Sequence, residues 1–390
     1  VLVDENIIYI ANAWPRDNKT SAHHVAEELA KKNRLLYVEA SGQRAPRASK
    51  RDYKKILDKL KKAWNRPTPV KENVFLYSPI ILPFHGHDVV RTINRFLLRV
   101  FMRRALKQLA FDDPILWIFM PHYSAVIGSV PAKGIVYYVV DEYAAQPNVD
   151  AEAIASMEAE VLARADVVIA VSEELVESKR PLHSNVFLST HGVDVERFAA
   201  ARDAGGSLPP DIAGIPRPIA GFFGLIEDWI DLDLVRFSAR RLPDVSFVFI
   251  GSVVQDIGDL AEYPNVHFLG PKPYDTLPEY LRAFDVGLLP YKLNEQVINS
   301  NPKKLREYLA GGKAVVSVRV REVERYGELV YVADNSDQFV DSIRRALDSG
   351  PDAAAQRAAA VEGESWTAKV DRISAIVAKH IGPRPKRGTG

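Results

Sequence analysis

The chain has no cysteine and only 3 methionines among its 390 residues. The missing thiols exclude disulfide scaffolds, cysteine nucleophiles and cysteine-ligated metals, and they agree with a cytoplasmic protein. Neither charge is in excess: 51 Lys and Arg face 50 Asp and Glu, so the total gives no support to a nucleic-acid partner. Long apolar runs are missing too. Nothing reaches the roughly 20 residues of a membrane span, and residues 1–10 read as a strand rather than a signal peptide. What is present is a hydrophobic content of 47% on a chain too long for one ordinary core. That combination suits two α/β domains with a cleft between them.

Short apolar strand patterns alternate with helical ones. In the first half, strands are expected over 6–10, 35–39, 115–119, 134–140 and 167–171, with a helix over 22–32. In the second half, strands are expected over 218–223, 246–250, 266–269, 286–289 and 314–318, separated by helices over 232–241, 277–283 and 303–309. Such alternation predicts two doubly wound parallel sheets. We expect an N-terminal domain over 1–198, an aperiodic interdomain linker over 199–217, a C-terminal domain over 218–365, a last helix over 366–381 and a disordered basic tail over 382–390. Ligands of open α/β sheets bind beyond the carboxyl ends of the strands, so the loops after the strands hold the candidates.

The most informative stretch is 301–317, Asn-Pro-Lys-Lys-Leu-Arg-Glu-Tyr-Leu-Ala-Gly-Gly-Lys-Ala-Val-Val-Ser. Asn301 and Pro302 offer a cap and a first-turn proline, and Gly311-Gly312 an end. Lys304 and Glu307, three apart, share one helix face. A helix N-terminus attracts phosphate, a lysine adds a point charge, and a carboxylate one turn on accepts hydrogen bonds from ribose hydroxyls. The same spacing also fits a solvated surface pair. Asp141 follows the apolar strand pattern and faces two readings, a general base for a sugar hydroxyl or a turn cap, with Glu142 as the substitute one residue on. Asp231 and Asp233 invite a divalent-metal reading, but both fall in the first turn of an expected helix, where the dipole favours carboxylates; no metal and no cofactor are expected.

The 301–317 stretch resembles the donor-binding segment of GT-B glycosyltransferases, P-x-K-x-x-E-Y-L-A-x-G-K-P-V-V, with Ala314 where proline is usual. In that family the glutamate holds the ribose. Retaining members carry a second glutamate eight residues earlier, a position that is Asn299 here. The run Tyr-x-x-x-Asp ending at Asp141, with the segment 185–194 (Asn-Val-Phe-Leu-Ser-Thr-His-Gly-Val-Asp) and the loop Tyr-Lys-Leu-Asn-Glu-Gln-Val at 291–297, resembles the inverting xanthan-type glucuronosyltransferases. Those relatives have a glutamine where Glu307 stands, so the chain mixes both patterns. The resemblance implies a GT-B fold of two Rossmann-like domains facing a central cleft, with the last helix packing back on the first domain. It implies Asp141 as catalytic base, and Gly224, Tyr291, Glu295, Gln296, Asn301, Lys304 and Glu307 at the donor. Ser21, His24 and His122 would lie where the acceptor is met, and His191 would shape the hinge.

The implied activity is transfer of a sugar from a nucleoside diphosphate sugar, UDP-linked and in one reading UDP-glucuronate, to a lipid-linked or growing saccharide in surface polysaccharide synthesis. A retaining enzyme and a nucleotide-sugar epimerase of the same fold are the alternatives. Basic residues crowd 44–71, and a helix expected over 89–109 carries Arg91, Arg95, Arg99 and Arg103 beside Ile93, Phe96, Leu97, Val100 and Phe101. Such a face fits either a solvated helix or an anionic membrane surface. We therefore expect peripheral attachment to the inner face of the plasma membrane and no nucleic-acid partner.

Overall fold

The computed structural model describes residues 1–15, 19–40, 66–79, 88–146, 149–203 and 205–382. They form two compact units, Val1–Thr190 with Lys369–Gly390, and His191–Ala368.

Unit 1 holds an eight-stranded sheet built from β1 (Asn6–Ala11), β2 (Arg34–Glu39), β3 (Thr68–Lys71), β4 (Val74–Tyr77), β5 (Ile115–Ile118), β6 (Gly134–Val139), β7 (Val167–Ala170) and β8 (Val186–Leu188). Its order is β3-β4-β2-β1-β5-β6-β7-β8. All pairs are parallel except the β3–β4 hairpin, which sequence patterning missed because β3 is exposed at every position. Every residue of β1, β5 and β7 is buried, as expected of strands covered on both faces. Tyr9, Tyr37, Trp117, Phe119 and Tyr138 pack centroid to centroid at 4.6–6.4 Å on the central strands. The principal helices are α1 (Ser21–Ala30), α2 (Asp88–Leu109), α3 (Ala151–Leu162) and α4 (Glu173–Lys179).

Unit 2 holds six parallel strands, β9 (Ile219–Phe223), β10 (Ser246–Ile250), β11 (Val266–Gly270), β12 (Val286–Leu289), β13 (Ala314–Val318) and β14 (Tyr331–Ala333). The order is β11-β10-β9-β12-β13-β14. Helices α5 (Leu232–Arg241) and α6 (Lys303–Ala310) bear on the residues singled out in the sequence. Asp231 accepts from Leu234 N at 2.9 Å and so caps α5. Asp233 sits exposed beside Arg236, so both aspartates serve the helix start.

The expected linker over 199–217 does not have the form of a linker. It carries a 3-10 turn, Ala200–Arg202, and a short helix, Pro210–Ala213. Ala201 and Ile212 are buried in the core of unit 2. These anchors are spaced too irregularly to show a helical period, which is why the stretch reads as structureless in sequence. The division between units falls after Thr190 rather than at 198. The last helix, α7 (Trp366–Ile381), is counted in unit 1 from Lys369 onward. There Ser374 Oγ accepts from Leu2 N, and the Ile381 side chain covers Gly134 so closely that no Cβ would fit. Residues 383–390 of the expected tail, and the basic residues from Arg44 to Lys62, lie outside the described residues.

Candidate functional site

Strand order in unit 2 reverses between β9 and β12, the switch point where open α/β sheets hold ligands. Gly224 ends β9 at φ +139°, and Gly251 ends β10 at φ +150°. Gly224 N donates to Ile250 O at 2.7 Å, and a Cβ on Gly251 would collide with Gly224 O. The two turns are therefore nested, and only glycine permits it.

Lys304 enters this nest from α6. A Cβ on Gly224 would overlap the Lys304 chain and sit 2.6 Å from Nζ. The ammonium also lies 5.3 Å from the centroid of the Phe222 ring. Burial pushes the Lys304 pKa down to about 8; Glu307 opposes that shift and Lys303 adds to it. Glu307 is 5% exposed, and Tyr274 donates to its Oε1 at 3.3 Å. Burial raises the Glu307 pKa against the pull of both lysines. Tyr291 presents its ring edge-on to Phe222 at 6.5 Å, and burial, then the charge of Glu307, raises its phenol pKa. Gly224, Lys304, Glu307 and Tyr291 thus come together, with the Glu307 carboxylate facing the charges of Lys303 and Lys304.

The start of α6 differs from expectation. Pro302 itself takes the N-cap position, with no side-chain cap. Asn301 Oδ1 accepts from Arg306 at 2.8 Å and from His191 N at 3.3 Å. The reason is Arg306, 1% exposed, whose guanidinium also pairs with Glu322 and lies 3.5 Å from Glu364. A buried cation takes the acceptors it can reach, so Asn301 braces the helix from inside; its Nδ2 is buried with no acceptor among the described residues. Glu295 and Gln296 lie in the short helix Glu295–Ile298, where Asn294 caps by accepting from Val297 N. Glu295 is exposed, and no side-chain hydrogen bond joins either residue to the cluster among the described residues. Asn299 donates to Glu295 O at 2.8 Å.

Sequence reading missed Tyr274 and Gly251. Gly251 had a signal, a glycine directly after a buried strand. Tyr274 had none: it lies in a proline-bounded loop, and only folding sets it beside Glu307, with Arg197 5.5 Å from its ring.

In unit 1 the order reverses between β2 and β5, either side of β1. Ser21 and His24 follow β1, His122 follows β5 and Asp141 follows β6, all at the carboxyl edge of three adjacent parallel strands. Ser21, His24 and His122 are buried. His23, beside them, is a structural residue: Thr20 N donates to its Nδ1 at 2.9 Å, leaving Nε2 to donate to Ala13 O at 2.9 Å. Gln146 donates to Asp141 Oδ2 at 2.7 Å. Glu142 is held elsewhere, 3.0 Å from buried Lys179, which also pairs with Glu158 at 2.8 Å; Tyr137 donates to Glu158 at 2.7 Å. That network holds Glu142 in an ion pair and anchors the loop that carries Asp141. Among the described residues no group of three or more His, Cys, Asp or Glu side chains could hold a metal ion.

Residues 233–370 match the glycosyl transferase-like family. Over 248 residues the chain is 27% identical to TuaH of Bacillus subtilis (strain 168), assigned to teichuronic acid biosynthesis as a glycosyltransferase; the match covers 58% of this chain and 61% of TuaH, so the chain spans about three fifths of that relative. Among solved structures, the E. coli trehalose-6-phosphate structure bound with UDP-2-fluoro glucose superposes with a TM-score of 0.68 at 14% identity, over 97% of this chain and 100% of that one. Anabaena HepE in complex with UDP and glucose gives 0.66 at 13%, over 95% and 99%. The alpha,alpha-trehalose-phosphate synthase (UDP-forming) of Burkholderia vietnamiensis gives 0.68 at 14%, over 96% of each. At such identities the structural likeness speaks for the fold. By that likeness over nearly its whole length the chain has the GT-B fold, and its residues 233–370 are similar to the glycosyl transferase-like family.

Proposed function

We propose that the protein is an inverting glycosyltransferase that moves a sugar from a UDP-sugar to a lipid-linked or growing saccharide during surface polysaccharide assembly. One observation carries the reading: a glycine nest, a lysine and a buried carboxylate meet at the switch point of unit 2. Lys304 and the nested turns would take the diphosphate, whose negative charge a desolvated ammonium favours, and Glu307 would accept from the ribose hydroxyls. UDP in the HepE complex and the polysaccharide assignment of TuaH support the donor and the pathway class. Glucuronate is one sugar that would suit the site, since Lys303 or Lys304 would pair with its carboxylate, but either lysine would serve a diphosphate equally well.

In this reading Asp141 takes the proton of the acceptor hydroxyl as its oxygen bonds to the anomeric carbon. The bond from that carbon to the diphosphate oxygen breaks, and UDP leaves with the electron pair. Lys304 stabilises the departing charge. No metal takes part in the proposed step. Asp141→Asn should lower turnover by at least about a hundredfold while UDP affinity is unchanged. Anomeric NMR of the product should show inversion. Turnover within a few-fold of wild type, or a retained configuration, would remove Asp141 from its role.

The acceptor side of the proposal rests on α2. Val89, Ile93, Phe96 and Val100 are exposed there, in line along the helix, with Arg99 and Arg103 exposed beside them. Phe101, expected on the same face, is buried instead, and Arg95 pairs with Glu160 at 2.6 Å. An apolar line flanked by arginines suits the surface of an anionic bilayer, and no described helix is long and apolar enough to cross one. Pelleting with anionic vesicles at low salt, lost in Phe96→Asp, is the expected result. Pelleting that ignores both the charge of the vesicles and this substitution would refute the surface.

A further inference from the structure

Unit 2 contains a second concave site at the opposite edge of its sheet. The cavity, about 660 Å³, is lined by Arg202, Arg217, Arg282 and Lys313, with Gly206, Gly311 and Gly312 among its apolar and backbone walls. Arg217 lies two residues before β9, Lys313 immediately precedes β13, and Arg282 precedes β12. These are the amino ends of the strands, whereas the nest at Gly224 lies beyond their carboxyl ends.

Three of the four cations are held by contacts within the protein. Arg282 donates to Ala200 O and Ser207 O, both at 2.9 Å, and its guanidinium lies so tightly on Gly206 that no Cβ would fit there. Lys313 Nζ donates to Arg282 O at 3.1 Å. Arg217 pairs with Asp285, whose other oxygen accepts from Ile219 N at 2.7 Å. Arg202 has no ion-pair partner among the described residues and is exposed. Four cations therefore face one carboxylate, an excess of three positive charges. Gly311 and Gly312 keep the floor open, since a Cβ on either would press on Leu281 or on the Ala354 backbone.

Positive charges held together without acids repel one another, and burial adds to the cost. Burial, with Arg217 and Arg282 nearby, pushes the Lys313 pKa down to about 8 despite Asp285. A bound anion would reverse that strain. From the cavity, its charge excess and its fixed donors, we infer that this site binds a phosphoryl group, as free phosphate or as the phosphate ester of a small sugar. A dianionic tetrahedral oxyanion matches an excess of three charges better than a single carboxylate does. The remaining volume accommodates a sugar-sized body against Leu208, Ala354 and Ala355. The inference does not depend on the activity proposed above, because it concerns other residues at another edge.

Thermal shift and calorimetry with inorganic phosphate and with glucose 6-phosphate, at fixed ionic strength against sodium chloride, test it on the full chain. Either probe should raise the melting temperature of wild type more than chloride does. That rise should fall by more than half in Arg202→Ala, which removes an exposed side chain, and vanish in Lys313→Met. It should persist in Lys304→Met. A larger rise with glucose 6-phosphate than with phosphate would assign the site to the ester, and an equal rise to free phosphate. No rise beyond chloride, a rise indifferent to both Arg202→Ala and Lys313→Met, or a rise lost in Lys304→Met would overturn the inference.

Discussion

Lys304 should make UDP binding depend on pH in a way that no ordinary lysine would. Its pKa is brought down from 10.5 to about 8, chiefly by burial. The drop of about 2.5 units corresponds to roughly 3 kcal/mol between the charged and neutral forms. The sign follows from proton counts. Between pH 8 and 10.5 the unfolded chain keeps the proton that the folded chain has lost, so stability attributable to this group rises with pH across that window and its cost is complete below pH 8. Diphosphate binding runs the other way, because the anion favours the ammonium. Binding near pH 8.5 should therefore take up a substantial fraction of a proton, on the order of three quarters if the bound pKa returns to its usual range. Above pH 8 the dissociation constant should rise by about tenfold per pH unit. Calorimetry of UDP in two buffers of different ionisation enthalpy, from pH 7 to 9, reads both quantities. Lys304→Met is the control: it should weaken binding at pH 7 and lose the proton uptake altogether. A wild-type affinity constant from pH 7 to 9, or uptake that survives Lys304→Met, would refute this account of the donor site.

Two further outcomes follow from packing. Gly224→Ala places a methyl inside the Lys304 chain at a φ of +139°, so UDP affinity should fall by at least about tenfold while unit 1 melts as before; unchanged UDP affinity would show that the nest is not the phosphate site. Arg306→Met strips the buried partner from Glu322, which keeps only half-exposed Arg325 at 3.2 Å, and should cost about 3 kcal/mol in urea unfolding. Removing both charges together, as Arg306→Met with Glu322→Leu, should recover part of that loss; a double variant worse than the single one would contradict the explanation.

Most strands were legible because a strand covered on both faces is a continuous apolar run, and 219–223, 246–250, 286–289 and 314–318 are such runs. The exposed hairpin strand β3 carried no such pattern. Residues 199–217 misled for a related reason: scattered apolar anchors such as Ala201 and Ile212 show no period until the rest of unit 2 is there to bury them. In the candidate site, Lys304 and Glu307 could be named from local spacing, and Gly224 from the resemblance. Tyr274 could not, since its sequence neighbourhood says nothing of the glutamate 33 positions away that it serves.

The sequence by itself determined the alternation of strand and helix, the three-residue step that puts Lys304 and Glu307 on one helix, and the glycines that let backbones meet. These are local properties, set by backbone geometry and side-chain period. Only the tertiary structure decided that β9 and β12 are neighbours, that Gly224 and Gly251 nest, that Asn301 is claimed by Arg306, and that Glu142 is tied to Lys179. It also decided the lowered pKa of Lys304. Burial and charge pairing come from residues distant in the chain, and such contacts exist only after folding has taken the intervening segments out of water.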